Sequence, residues 1–191
     1  MKPQEAATRL GMSYLPAGDK EFRNAWTMIP EISKSGKIAH VMFGDIDGVE
    51  VTGFQYSFVM QTGQVPLTVF RTIYSSEIPL VPSILIARRI FLSQILRQMG
   101  LFKGIQSGSA EFDALWRIRT GDALFAQSLL THALRMHIMG KLNLKWRIHS
   151  GRLCLIYSGK MKASRIEASL SRLLRFHKLA APALCADAGE I

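Results

Sequence analysis

Two stretches of the chain alternate apolar and polar residues with a period of two, and this pattern most limits the fold. They cover residues 37–74 and 144–157. Successive side chains of a β-strand point to opposite faces, so the alternation predicts strands with one face towards a core. In the first stretch, Asp47-Gly48 is a typical two-residue hairpin turn, and Thr62-Gly63 is a second predicted turn. The stretch is therefore predicted to be a three-stranded antiparallel meander of Ile38–Ile46, Val49–Met60 and Val65–Tyr74.

The second stretch predicts a hairpin that turns at Ser150-Gly151. This register collects six large apolar side chains on one face, in the pairs Ile148 with Leu153, Trp146 with Leu155, and Leu144 with Tyr157. The opposite face would carry Lys145, Arg147, His149 and Arg152. We therefore expect Trp146 to be buried and the basic side chains of this hairpin to be exposed.

Hairpins dominate the remaining pattern, and no regular β-α-β alternation is present. Helical periodicity and capping residues predict helices at Gln4–Leu10, Asp19–Ile29, Arg89–Gly100, Asp122–Met139 and Ser164–Leu179. Further strands are predicted at Ser83–Ala87 and Phe112–Arg119. This order favours an α+β fold, with an antiparallel sheet of about five to seven strands and helices packed mainly on one face.

The length of 191 residues fits one domain, which we place at residues 1–180, followed by a flexible tail at 181–191. No signal peptide is recognisable, and no apolar stretch approaches the roughly twenty residues that span a bilayer. Two cysteines are too few for a disulfide-stapled secreted domain. We therefore expect a cytoplasmic protein that can lie peripherally at the inner face of a membrane.

The positive charge is concentrated near the carboxyl end. Of a net charge of +10, residues 141–178 contribute ten basic side chains and one acidic side chain. Such asymmetry is typical of a surface that meets an anionic partner, although a merely solvated face is an equal alternative. The predicted basic face consists of Lys145, Arg147, Arg152, Lys160, Lys162, Arg165, Arg172, Arg175 and Lys178.

No catalytic or metal-binding pattern stands out. The carboxylates of residues 45–50 are better explained by a hairpin turn than by a calcium loop. His132 and His137 are five residues apart, whereas a shared ligand face on a helix needs three or four. Cys154 is interpreted as a packing residue. We therefore expect no enzyme activity, no cofactor and no metal.

Several stretches together resemble a group of bacterial soluble α+β domains of unknown function, common in actinobacteria and often tethered to a membrane. The matching stretches are residues 43–48, 51–56, 79–86, 102–105, 111–119 and 122–130. The chain departs from the group at Gln55, where an Asp is usual, in its nearly acid-free loop 106–110, and in its lack of a membrane segment. The resemblance implies an α+β domain that works near a membrane, and it carries over no catalytic residue.

These observations favour a non-enzymatic interaction module, a peripheral accessory subunit of a membrane-associated protein assembly. Its basic face would bind an acidic protein surface or an anionic membrane surface. The alternative is a nucleic-acid-binding protein that uses the same face. That alternative ranks lower because Trp146 and Tyr157, which could stack on bases, are predicted on the apolar side of the hairpin.

Overall fold

The computed structural model describes residues 2–33, 35–63, 65–89, 105–140 and 144–187. The chain divides into two compact units. Unit 1 comprises residues 1–77 and 154–174, and unit 2 comprises residues 78–153 and 175–191. The prediction of one domain over residues 1–180 stays a prediction. Among the described residues, no helix combines the length and the apolar character needed to cross a bilayer.

The described residues form eight strands and six helices. The strands are β1 (Ser13–Ala17), β2 (Lys37–Ile46), β3 (Val49–Thr62), β4 (Val65–Glu77), β5 (Ile84–Arg88), β6 (Trp116–Thr120), β7 (Leu144–His149) and β8 (Arg152–Ser158). The helices are α1 (Pro3–Arg9), α2 (Lys20–Trp26), α3 (Ala110–Leu115), α4 (Ala123–Leu129), α5 (His132–Met139) and α6 (Ala163–Asp187). The predicted α+β class is confirmed, with one strand more than the upper end of the predicted range.

The strands of unit 1 follow the order β1-β2-β3-β4-β8. A two-residue turn at Asp47-Gly48 predicts that Ile46 pairs with Val49 and Gly44 with Val51, and the first hairpin has this register. Its turn is fixed by positive φ angles of 54° at Asp47 and 78° at Gly48, as a type I′ turn requires. The amide of Gly48 also donates to Asp45 Oδ1 at 2.9 Å. The carboxylates here therefore serve a turn.

The β2–β3 register shifts by one residue between Ala39 and Met42. His40 has a φ of 54° at this bulge, and its Nδ1 lies 2.8 Å from the hydroxyl of Tyr14 on β1. Beyond the bulge Ala39 pairs with Gln55, so the register predicted from the turn does not extend to the end of β2. Such bulges bend a strand and increase its twist.

The core of unit 1 lies between α2, the loop after it and the strands. Trp26 packs edge-on against Phe54 with ring centroids 4.7 Å apart. Cys154 and Ile156 of β8 belong to the same buried cluster. The face of β8 opposite Leu153 and Leu155, which was predicted to carry basic side chains, is therefore also buried at these two positions. Cys154 is therefore a packing residue, as interpreted from the sequence.

The β3–β4 hairpin is longer than predicted. Its strands remain paired from Val51 with Ser76 to Thr62 with Val65, which places the predicted Thr62-Gly63 turn one residue too early. The pairing of β2 with β3 reaches only Ser57. Residues 58–63 and 65–69, here called the ribbon tip, therefore continue past the last β2 pair as a two-stranded ribbon.

The strands of unit 2 follow the order β7-β5-β6. Trp146 pairs with Ile86, and Ile148 pairs with Ile84, and all four side chains are buried. Trp146 stacks on Phe176 of α6 with ring centroids 4.4 Å apart. The predicted burial of Trp146 and Ile148 is confirmed.

The predicted strand Phe112–Arg119 is wrong at its start. Residues 110–115 form helix α3, and only the residues from Trp116 onward form a strand. Ser109 caps this helix by accepting a hydrogen bond from the amide of Phe112 at 3.4 Å. Phe112 and Trp116 are four residues apart, so their spacing fits one helical turn as well as a strand, and they stack at 6.0 Å.

The predicted long helix Asp122–Met139 is two helices. Asp122 caps α4 as expected, with Phe125 N donating to its carboxylate at 2.9 Å. The helix stops at Leu130, and the hydroxyl of Thr131 accepts from Leu134 N at 3.3 Å to cap α5. One continuous helix would place Ala133 and Met136 on the buried side with Phe125 and Leu129, but the break rotates the faces of α5 and both residues are exposed.

The last helix extends beyond its predicted end at Leu179. Helix α6 continues through Pro182 to Asp187, so the predicted tail begins inside a helix. The predicted helix Arg89–Gly100 lies outside the described residues, apart from Arg89 itself.

Candidate anion-binding site

The nine residues of the predicted basic face are divided between the two units. Unit 2 holds the basic side chains of the last hairpin and the two that follow residue 174, namely Lys145, Arg147, Arg152, Arg175 and Lys178. Unit 1 holds Lys160, Lys162, Arg165 and Arg172. Each group is therefore considered by itself.

In unit 2 the hairpin does not present its basic side chains as predicted. Lys145 is exposed, but Arg147 and Arg152 are half-buried. Arg147 pairs across β5 with Leu85, and its Nε atom is buried. A strand with neighbours covers part of any long side chain on its outer face, because the stem packs over the adjacent strand. Arg147 and Arg152 were predicted to be exposed, and for these two the prediction is wrong, since each is half-buried.

The apolar spacing of the last helix predicts a buried stripe of Ile166, Leu170, Leu173 and Leu174. The first three are buried in α6, and Leu174 is half-buried. Arg165, Arg175 and Lys178 are exposed, whereas Arg172 is half-buried.

Unit 1 contains an open pocket with basic residues at its wall. Its volume is about 270 Å³, part of which is open to solvent. The wall includes the exposed side chains of Lys160, Lys162 and Arg165, together with Ser158 and Tyr157. The remaining lining residues, Thr72, Tyr74 and Ser169, are buried and form the floor.

Hydrogen bonds hold the floor of the pocket in place. The hydroxyl of Thr72 donates to the carbonyl of Gly159 at 3.1 Å, and the amide of Gly159 donates to Phe70 O at 2.8 Å. The hydroxyl of Ser169 donates to the carbonyl of Arg165 at 2.6 Å, one turn earlier in α6. These bonds fix the loop that carries Lys160 against β4.

Tyr74 stays protonated at the centre of the floor. Burial is the main cause that raises the pKa of its phenol; nearby Tyr157 raises it further, and a hydrogen bond with Ser169 opposes this. The two tyrosine rings meet edge to face with centroids 6.2 Å apart. The floor therefore offers neutral hydroxyl groups.

The lining suits a small anion. Three cations and several hydroxyl groups surround the pocket, and its described lining includes no carboxylate. Helix α6 begins at Ala163, next to Lys162, and its amino-terminal end contributes further positive potential. Glu167, the one acidic residue of 141–178, pairs with Arg9 of α1 at 2.8 Å, and within the described part of the chain no carboxylate forms an ion pair with the three cations. A phosphate or carboxylate group matches this lining of cations and hydroxyl groups.

The other sequence candidates are not brought together. His132 is exposed at the start of α5, whereas His137 packs against Trp146 with ring centroids 5.9 Å apart. Within the described part of the chain, no group of three or more potential metal ligands is found. Neither cysteine forms a disulfide: Cys154 is buried and Cys185 is exposed.

Sequence reasoning found the rim of the pocket but missed its floor. Thr72 and Tyr74 lie two residues apart on one face of β4, and both precede Ser169 by more than ninety residues. The alternating polar residues of β4 were a signal for a strand, but no spacing in the sequence links them to α6.

Comparisons with known proteins support the fold. No protein-family model matches the sequence, and no curated protein matches it. The fold is similar to that in the crystal structure of the mycobacterial trehalose monomycolate transport factor A, TtfA. The two agree with a TM-score of 0.64 at 10% sequence identity, over 93% of this chain and 91% of that chain. At this identity the likeness shows a shared α+β fold, and membership of the actinobacterial group stays a prediction.

Proposed function

We propose that this chain is a non-enzymatic docking module that joins a membrane-associated assembly as a peripheral subunit on the cytoplasmic side. Its contact would be electrostatic, through the basic face. The observation that carries the proposal is the exposed cluster of Lys160, Lys162 and Arg165 around an acid-free pocket. Similarity in fold to a protein named as a transport factor supports an accessory role at a membrane.

The cluster is large enough to matter for binding. Each Lys or Arg close to an anionic membrane contributes about 1 kcal/mol of attraction, so three contribute about 3 kcal/mol, or roughly 100-fold in affinity. All three are exposed, and their only acidic neighbour in sequence is paired elsewhere. Their charges therefore remain available to a partner.

The test is sedimentation of the protein with native membranes at low salt. We expect the wild type to bind. The triple variant Lys160→Glu, Lys162→Glu, Arg165→Glu, here called the cluster variant, should lose at least about 100-fold in affinity. The control reverses three other exposed lysines of unit 1 and changes the net charge equally: Lys2→Glu, Lys20→Glu, Lys37→Glu. Binding that both triple variants lose equally would indicate a net-charge effect and would contradict a specific face.

Nucleic acid is the competing outcome of the same assay. If a random single-stranded oligonucleotide at physiological salt displaces the protein from the membranes at a concentration below that of the lipid phosphate, the nucleic-acid alternative replaces membrane docking. If the cluster variant binds native membranes as well as the wild type does, the proposed function is wrong.

A further inference from the structure

The ribbon tip exposes an apolar surface at the end of unit 1. Val59, Met60, Val65 and Leu67 have exposed fractions of 62%, 42%, 72% and 52%. The sequence from Phe58 to Phe70 has no charged residue in thirteen positions. Proteins usually protect a protruding ribbon with charges, because its edges and apolar side chains otherwise invite association. An exposed apolar surface of this kind marks a binding site.

Two cations flank the ribbon where the apolar tip begins. The guanidinium of Arg71 lies over the ring of Phe58, 4.9 Å from its centroid, and the ammonium of Lys160 lies over Phe70 at 4.7 Å. Phe70 pairs with Ser57, the residue before Phe58, so the two rings are on opposite faces of the ribbon. A cation therefore stands at the base of each face.

This arrangement matches the layers of a membrane interface. Cationic side chains prefer the level of the phosphates, and apolar side chains prefer the acyl chains just below. Lys160 also lines the anion pocket, so the pocket and the ribbon share a residue and belong to one unit. Charge and apolar surface are thus combined in one place, whereas an acidic protein partner would need only the charge.

We propose that the ribbon tip inserts into the interfacial layer of an anionic lipid bilayer, with Arg71 and Lys160 at the level of the headgroups. This inference rests on the proposed function and names its partner, because the anionic surface is then the bilayer itself. No covalent step is involved.

The length of the ribbon tip limits the depth of insertion. Counted along the strands towards the turn, Met60 is two residues from Phe58 and Val65 is four residues from Val69. At 3.3 Å per residue, these separations are about 7 and 13 Å. The apolar side chains thus stay within one leaflet, whose hydrocarbon layer is about 15 Å thick. The outer edges of a two-stranded ribbon carry backbone groups that need water, so it remains in the interfacial layer.

A tryptophan placed in the ribbon tip can report insertion directly. The three native tryptophans, Trp26, Trp116 and Trp146, are at most 3% exposed, so lipid quenchers do not reach them. In the variant Leu67→Trp, we expect a blue shift of the emission on binding protein-free vesicles of phosphatidylcholine and phosphatidylglycerol. We also expect brominated acyl chains to quench this emission more than they quench that of the wild type.

Removal of the apolar side chains measures their contribution. The double variant Val65→Ser, Leu67→Ser, here called the ribbon variant, is expected to bind these vesicles at least about tenfold more weakly than the wild type does. The control double variant Leu80→Ser, Leu124→Ser removes two exposed leucines of unit 2 and is expected to bind like the wild type. All four positions are exposed, so we expect each protein to keep its melting temperature.

The outcomes separate this inference from the proposed function. Binding to native membranes without binding to protein-free vesicles overturns lipid insertion and leaves the docking function in place. If brominated lipids do not quench the emission of the introduced tryptophan in Leu67→Trp, or if the ribbon variant and its control bind vesicles equally, the inference is overturned as well. If the ribbon variant changes only self-association, the tip contacts a second copy of the chain instead of lipid. Loss of vesicle binding in the ribbon variant with full binding by the cluster variant would refute both the electrostatic function and the headgroup contact of Lys160, and only insertion of the apolar side chains would remain.

Discussion

Replacement of Trp146 by alanine tests the hairpin that carries the first residues of the basic face. The indole is 1% exposed, stacks on Phe176 at 4.4 Å, and packs beside His137. Truncation of a fully buried Trp to Ala costs about 3–5 kcal/mol, because both the transfer energy and the packing around the cavity are lost. For a chain of this size, 1 kcal/mol lowers the melting temperature by about 2–4 °C. We expect a drop of roughly 6–20 °C.

Trp146→Phe should be much milder. Phenylalanine keeps a ring for stacking on Phe176, and it removes the indole N–H, which is buried with no hydrogen-bond partner among the described residues. A buried unsatisfied donor costs about 1–3 kcal/mol, and its removal offsets much of the lost ring area. We expect a change in melting temperature of no more than about 4 °C.

Thermal unfolding followed by circular dichroism measures both changes. The control is Lys145→Ala, the exposed neighbour on the other face of β7, which should cost no more than about 0.5 kcal/mol. If Lys145→Ala destabilised the protein as much as Trp146→Ala does, the strand would be one residue out of register, and the reasoning on burial would be refuted.

Two further predictions concern unit 1. Tyr74 has a raised pKa in the folded protein, so its contribution to stability is complete below pH 10 and is lost as the pH rises from 10 through the folded value. In melting curves at alkaline pH, we expect Tyr74→Phe to lose less stability than the wild type does. An unchanged pH profile would contradict the burial of the phenol. A Cβ at Gly36 would overlap the Tyr56 ring, so Gly36→Ala should lower the free energy of unfolding by about 1–3 kcal/mol. In a protein that already carries Tyr56→Ala, we expect Gly36→Ala to cost less, as measured in the same melts. Equal costs in the two backgrounds would count against the clash.

The register next to the first turn was predictable because turn chemistry and burial agree. Asp47-Gly48 has the positive φ angles that a two-residue turn needs, and this turn fixes the pairs that follow. Ser150-Gly151 has positive φ angles too, and the pairs predicted for its hairpin stay a prediction. The bulge at His40 was not predictable, because one extra residue in a strand leaves the apolar pattern on either side intact.

Other differences have local causes. Strand β1 was missed because Pro16, which cannot donate to a ladder, argues against a strand, and such a residue is tolerated only in an edge strand like this one. The break between α4 and α5 was missed because Leu130, Leu134 and Ile138 continue a helical apolar spacing across it, and all three are buried. Thr131 was the available signal, as a capping residue inside the predicted helix.

The candidate site was predictable in charge but not in shape. The concentration of Lys and Arg in residues 141–178 identified the rim of the pocket. Its floor depends on the proximity of β4 and α6, which are distant in sequence. The partial burial of Arg147 also could not be predicted, because it depends on β5. That strand pairs with β7 but lies some sixty residues earlier in the sequence.

The uncharged ribbon also has a consequence for the behaviour of the purified protein. Its open edges and apolar side chains make it a template for strand pairing between molecules, and the net charge of +10 opposes this by mutual repulsion. High salt screens that repulsion as effectively as it screens attraction to lipid. Concentrated stocks in high salt should therefore become turbid sooner than dilute ones in low salt, so that the ribbon proposed to enter a membrane would also set the solubility limit of the protein in solution.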